Sequence, residues 1–110
     1  MSSKVVIIIS TGEKEKALTG MMYAANALKN KWLDDVKVVF FGPSEKLISQ
    51  DQELQELSSK ILKYQTPVAC KFISDNEEIS NDLEKLGYRI DYVGALISDF
   101  IKEGYIPIVF

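Results

Sequence analysis

Val5-Val6-Ile7-Ile8-Ile9 is an unbroken run of five β-branched residues. Successive side chains of a strand point to opposite faces, so a strand without polar alternation needs apolar cover on both. That condition is met in a parallel sheet with helices above and below. No other feature of the 110 residues narrows the fold as much. The remaining elements fit the same plan. Thr11-Gly12 ends the first strand, and Thr11 reads as the N-cap of a helix opened by Glu13-Lys14-Glu15-Lys16. Ala17, Leu18, Met21, Met22, Ala25 and Leu28 recur at helical spacing and make its apolar face. Gly20 inside this helix costs about 1 kcal/mol relative to alanine, so packing has to repay it.

Val36 to Phe41 is a second strand, closed by Gly42-Pro43. Ser44 starts a short helix carrying Leu47 and Ile48. Asp51 caps another, with Leu54, Leu57, Ile61 and Leu62 on one stripe. The stretch Thr66 to Ser74 holds a short buried strand that stops at Cys70. Ser74 and Glu77 have the spacing of a capping box, ahead of a helix with Ile79, Leu83 and Leu86. Arg89 to Val93 is a fourth strand whose alternation suits an edge or a half-polar face, and Gly94 breaks it. Ala95, Leu96, Phe100 and Ile101 form the last helix. Gly87-Tyr88 and Gly104-Tyr105 both read as left-handed helix ends followed by an apolar contact. Ile106 to Phe110 is the final strand, and Pro107 assigns it to an edge or to a start position. Strands and helices alternate over short connections. The expected fold is therefore one α/β domain, residues 1–110, with right-handed crossovers and a five-stranded, mainly parallel sheet.

Composition excludes several function classes. Thirteen basic and 16 acidic residues give a net charge of -3, without the clustered Lys and Arg of a nucleic-acid or anionic-membrane surface. No apolar run approaches the roughly 20 residues of a membrane span. The N-terminal apolar block is too short for a secretory core, so a cytoplasmic location is expected. There is no histidine, which removes Ser-His-Asp and Cys-His arrangements and the commonest metal ligand. A single cysteine makes neither an internal disulfide nor a structural zinc site. No cofactor and no metal is expected.

In an open parallel sheet the site lies at the carboxyl ends of the strands. Thr11-Gly12, Gly42-Pro43, Cys70-Lys71 and Gly94 fall there, and only Cys70 is a nucleophile. Amide N–H groups and the following helical turns favour a thiolate at such a place, and Lys71 adds a positive charge next door. The competing reading is that Cys70 packs as a small hydrophobe, on one face with Val68 and Phe72. Thr11-Gly12 lacks the repeated glycines of a nucleotide loop and reads first as a plain turn. Asp75, Glu77 and Glu78 precede a helix, where capping and dipole effects account for them, with a magnesium site the minor alternative. Met21 and Met22 are filler of the core or of an interface.

Taken together, the apolar first strand, Thr11-Gly12, the helix Ala17 to Leu28, the strand Val36 to Phe41 with Gly42, the Val68-Ala69-Cys70 segment and the run Gly87-Tyr88 to Phe110 resemble the DsrE/DsrF-like family of small sulfur-metabolism proteins, which includes TusD-like sulfur-relay subunits. The resemblance implies a three-layer α/β/α domain and a homo-oligomer, a trimer or hexamer. It also implies a cysteine that carries persulfide sulfur between a donor and an acceptor protein, and Cys70 is the residue at that position. Thiol exchange of this kind needs neither histidine nor metal. The alternative is a non-catalytic oligomeric module. It would bind a small anionic ligand or nucleotide at Thr11, Gly12, Gly42, Lys71 and Gly94. A third reading is a structural subunit offering Trp32, Tyr105 and Phe110 as contact surface.

Overall fold

The computed structural model describes residues 2–110. Five strands, β1 (Lys4–Ile9), β2 (Asp35–Phe40), β3 (Val68–Cys70), β4 (Arg89–Asp91) and β5 (Ile106–Val109), form one sheet in the order β4-β3-β2-β1-β5. Every pairing is parallel. The helices are α1 (Lys14–Lys29), α2 (Ser44–Gln50), α3 (Gln52–Leu62), α4 (Lys71–Asn76), α5 (Ser80–Lys85) and α6 (Val93–Lys102). The fold is the three-layer α/β/α arrangement, and the longest apolar runs belong to the central strand, β2, and its neighbour β1.

Topology decides which face each helix covers. From β1 to β4 the chain steps always in the same direction across the sheet. Right-handed crossovers then put α1, α2, α3 and α5 on one face, while the short α4 follows the end of β3 and packs Ile73 against the second core. From β4 it crosses back over three strands to reach β5, so α6 lies on the other face. The first core holds Val5, Ile7, Ile9, Val36, Val38, Phe40 and Ala69, packed by Met21, Ile48, Leu54, Ile61 and Leu83. The second holds Val6, Ile8, Val39, Val68 and Cys70, with Val93 of α6 and Tyr105. β1 contributes to both, as its pattern requires; each fully buried Val or Ile stabilises by roughly 2 kcal/mol.

Local details confirm some expectations and correct others. Gly87 and Gly104 have φ of +97° and +92°. The amides of Tyr88 and Tyr105 donate back to the Leu83 and Phe100 carbonyls at 3.1 and 2.9 Å, closing α5 and α6 as left-handed caps. Asp51 caps α3 by accepting from the Leu54 amide at 3.0 Å. β4 and β5 are the two edges, and Pro107 sits on β5. Thr11 is not the N-cap of α1. That position is Glu13, and the Thr11 hydroxyl accepts from the Glu13 amide two residues on, making a turn ahead of the helix. The Ser74–Glu77 capping box does not form. Ser74 lies inside α4, fully buried, with its hydroxyl shared between the Lys71 carbonyl and Ser80. Met22 faces outward and Met21 takes the core position.

β3 spans three residues, so it does not pair the amino-terminal half of β2. The Gln65 side chain fills the gap. Its Oε1 accepts from the Val38 amide at 2.9 Å, and its Nε2 donates to the Val36 carbonyl. One side-chain amide thus replaces a peptide unit of the missing strand. Gln65→Ala leaves that donor and that acceptor without partners. It should destabilise the fold by about 1–3 kcal/mol in urea unfolding and speed exchange of the Val38 amide.

Candidate functional site

The carboxyl ends of β5, β1 and β2 are tied together by main chain and by small polar side chains. The Phe110 carbonyl accepts from the Ser10 and Thr11 amides at 2.7 and 3.2 Å. After β2 the chain folds back on β1: the Ser44 amide donates to the Ser10 carbonyl and the Ser44 hydroxyl to the Ile9 carbonyl. Gly42 makes this turn at φ +123°, where a β-carbon would also press on the Ser10 hydroxyl at 3.0 Å. Gly12 lies against Pro43, so close that a β-carbon there would stand 3.1 Å from the proline ring. Thr11, Gly12 and Gly42 therefore meet at one rim, as their strand-end positions predict.

Cys70 is the last residue of β3, and the backbone turns there directly into α4. Its side chain belongs to the second core, among Val39, Val68 and Val93, and the residue is 5% exposed. There the sulfur packs like a small hydrophobe. Phe72 does not share that face: it lies on α4 and is 65% exposed. Lys71 does not add a free charge beside the thiol. Its Nζ is 2.7 Å from Asp75 one turn along, which raises the lysine pKa and lowers that of Asp75. Gly94 is not a strand end. β4 stops at Asp91, and Gly94 is an exposed residue in the first turn of α6, where an added β-carbon touches nothing.

Glu45, which the sequence presents as an ordinary acidic residue in a helix first turn, is fully buried at this rim. Its Oε2 accepts from the Gly42 amide at 3.2 Å. Oε1 has no well-formed partner, although the Cys70 amide lies close enough to favour ionisation. Burial raises the pKa to about 7, and the Gly42 and Cys70 amides oppose that rise. Glu45 approaches from the helical layer containing α2. Cys70 points its sulfur into the other layer, because Ala69 is the β3 residue facing α2 and its neighbours. The carboxyl therefore lies on the opposite side of β3 from the sulfur. Seven residues of helix tucked against α3, α4 and α5 turn this acid inward, a consequence of tertiary packing that no local motif announces.

These features bear on anion binding. The turning point of the strand order lies between β1 and β5, where an open parallel sheet ordinarily leaves a ligand crevice. Here the Phe110 carbonyl bridges it. Lys14, at the start of α1, is bound to Asp51 and Glu53 at 3.1 and 3.0 Å. Lys46 stands 3.8 Å from Glu77. Open clefts lie elsewhere: between α1 and α3, lined by Leu18, Met22, Glu53 and Lys60, and beside the second core, lined by Lys37, Gln65, Arg89 and Phe100. Among the described residues no group of His, Cys, Asp and Glu is arranged to hold a metal, and no helix is long and apolar enough to cross a membrane.

No protein-family model matches the chain, and no curated protein matches it. Among solved structures it is similar to a conserved protein of unknown function, BT1422, from Bacteroides thetaiotaomicron. The two are 24% identical with a TM-score of 0.90, over 98% of this chain and 95% of the other. At that identity the likeness establishes a shared fold over essentially the full length of both chains.

Proposed function

We propose that the protein is a small sulfur carrier that holds persulfide sulfur on Cys70 and passes it to a partner thiol. One observation carries this reading: the chain's only cysteine ends β3 at the carboxyl rim, where the backbone leaves the sheet. The resemblance of the sequence to the DsrE/DsrF-like family supports the same role. The Cys70 thiolate attacks the outer sulfur of a donor persulfide, R–S–SH. The new S–S bond forms as the old one breaks, and R–S⁻ leaves and takes up a proton. An acceptor thiolate then attacks the outer sulfur of Cys70–S–SH and regenerates Cys70. No external oxidant or reductant enters either step. Because Cys70 is 5% exposed, loading requires the β3–α4 turn to open. Donor and acceptor are proteins in this scheme, the location is cytoplasmic, and the working unit is a homo-oligomer, a trimer or hexamer. The exposed Phe41, Phe72, Tyr92, Ile101 and Val109 give such contacts apolar area. No feature of the rim favours the anion-binding alternative, since Lys14 and Lys71 are already paired.

Intact-protein mass spectrometry after incubation with a low-molecular-weight persulfide tests the chemistry. The native chain should gain one sulfur atom on the Cys70 peptide, and Cys70→Ser none. A native chain that stays unloaded while the urea-unfolded chain loads readily would overturn the proposal. Light scattering should return a multiple of 12.4 kDa.

A further inference from the structure

We infer that the cleft beside the second core is a binding site for a small amphipathic anion, a carboxylate carried on a flat apolar body of one or two rings, with Arg89 as the group that holds the charge. The inference goes beyond the sulfur-carrier reading and rests on none of it.

The cleft follows from the length of β3. That strand begins only at Val68, so the sheet beside the amino-terminal half of β2 is closed by the Gln65 side chain and not by a further strand. α6 is the helix over this face, and its Leu96 and Phe100 form one wall. Val39 and Val68, register partners on β2 and β3, form the floor. The cleft has a volume of about 360 Å³. Small-molecule sites span roughly 300–1,000 Å³ and pair apolar walls with a few polar groups, so a compact ligand fits here.

Charge selects the ligand. Lys37 on β2 and Arg89 on β4 stand on this same face, either side of β3, and no carboxylate is among the residues lining the cleft. The cleft between α1 and α3 carries Glu53 and Glu56 instead, and the one outside β4 carries Asp75 and Glu84. In a chain of net charge -3, a wall with two cations and no acid is a local reversal of sign. Each cation has a carboxylate neighbour outside the cleft: Asp35 is 3.3 Å from Lys37, and Asp91 is 2.5 Å from Arg89. Each of those acids has a second donor, the Tyr105 hydroxyl on Asp35 and the Tyr92 amide on Asp91. A ligand that draws either cation inward therefore orphans no carboxylate, and exposed pairs of this kind contribute little to stability. Lys14 differs, being held between two acids. Arg89 touches Asp91 through one guanidinium nitrogen. The rest of its planar fork is left to grip a second carboxylate, and its flat face suits a ring.

The probes are naphthoate and its neutral isostere naphthamide, titrated into the isotope-labelled native chain and followed by amide NMR. Naphthoate should give saturable shifts centred on Lys37, Val39, Val68 and Leu96. Naphthamide should bind about tenfold more weakly, having lost the charge-assisted contact. Arg89→Gln should weaken naphthoate about tenfold and leave naphthamide unchanged. The Arg89 side chain is exposed, so the variant should fold, which its own spectrum checks. Shifts that never saturate or that centre on another surface would overturn the site. So would equal affinity for the two probes, or a folded Arg89→Gln chain that binds naphthoate as the wild type does. A chain that binds naphthoate yet never takes up persulfide would leave this site standing and remove the sulfur-carrier reading; the opposite pair of results would do the reverse.

Discussion

Glu45→Gln should make the protein more stable at alkaline pH by about 3 kcal/mol and leave it nearly unchanged in acid, below the ordinary glutamate pKa. The carboxyl titrates at about 7 in the folded chain and has a model value of 4.5. Between those values the folded state holds the proton more firmly than the unfolded state. Stability therefore falls as pH rises through this window, and the loss is complete above the folded pKa. A rise of about 2.5 pKa units corresponds to about 3 kcal/mol at roughly 1.4 kcal/mol per unit. Glutamine does not ionise, so the variant lacks this slope. Urea denaturation at a series of pH values measures the difference. Parallel stability curves for the two chains would show that the carboxyl has the same pKa in the folded and unfolded states.

Gly20→Ala should destabilise the fold by about 1–3 kcal/mol, although alanine is the better helix former by about 1 kcal/mol. Gly20 is buried on α1, where the helix lies directly on the sheet. An added β-carbon would stand 2.6 Å from the Ile9 δ-methyl and 2.6 Å from the Phe110 ring. Ile9 is itself fully buried, and two neighbours must shift at once. The measurement is the shift in urea midpoint at constant slope. A stabilised variant would mean that Phe110 swings clear and that α1 does not depend on this close approach. Gly94→Ala is the matching control: nothing lies near its added carbon, so it should be neutral or slightly stabilising on α6.

The five strands and their parallel pairing were legible because apolar β-branched runs and glycine punctuation are local signals. Val5 to Ile9 announces a doubly covered strand, and Gly87-Tyr88 and Gly104-Tyr105 announce helix ends that the left-handed φ values then display. The need for packing at Gly20 could also be read, but not its partners, Ile9 and Phe110. The site was only half legible. Thr11, Gly12, Gly42 and Cys70 follow from the rule that strand carboxyl ends gather at one rim. Gly94 was misplaced because β4 ends three residues earlier, at Asp91, and a helix begins at Val93. The Ser74–Glu77 motif failed because Ser74 was already committed to α4, where Ser80 takes its hydroxyl. Lys71 proved to be Asp75's partner, a pairing set by helical spacing once α4 exists.

Sequence by itself determined the layered architecture, since hydrophobic period and turn chemistry act over a few residues and survive in any context. It also determined that the chain has one thiol and no imidazole to offer. Tertiary structure alone decided how that thiol is held. Burial of Glu45, the opposite facing of its carboxyl and the Cys70 sulfur, and the bridging of the β1–β5 crevice by Phe110 all arise from residues far apart in the chain. Desolvation and hydrogen bonding depend on what surrounds a group in space, and no spacing of letters encodes that directly.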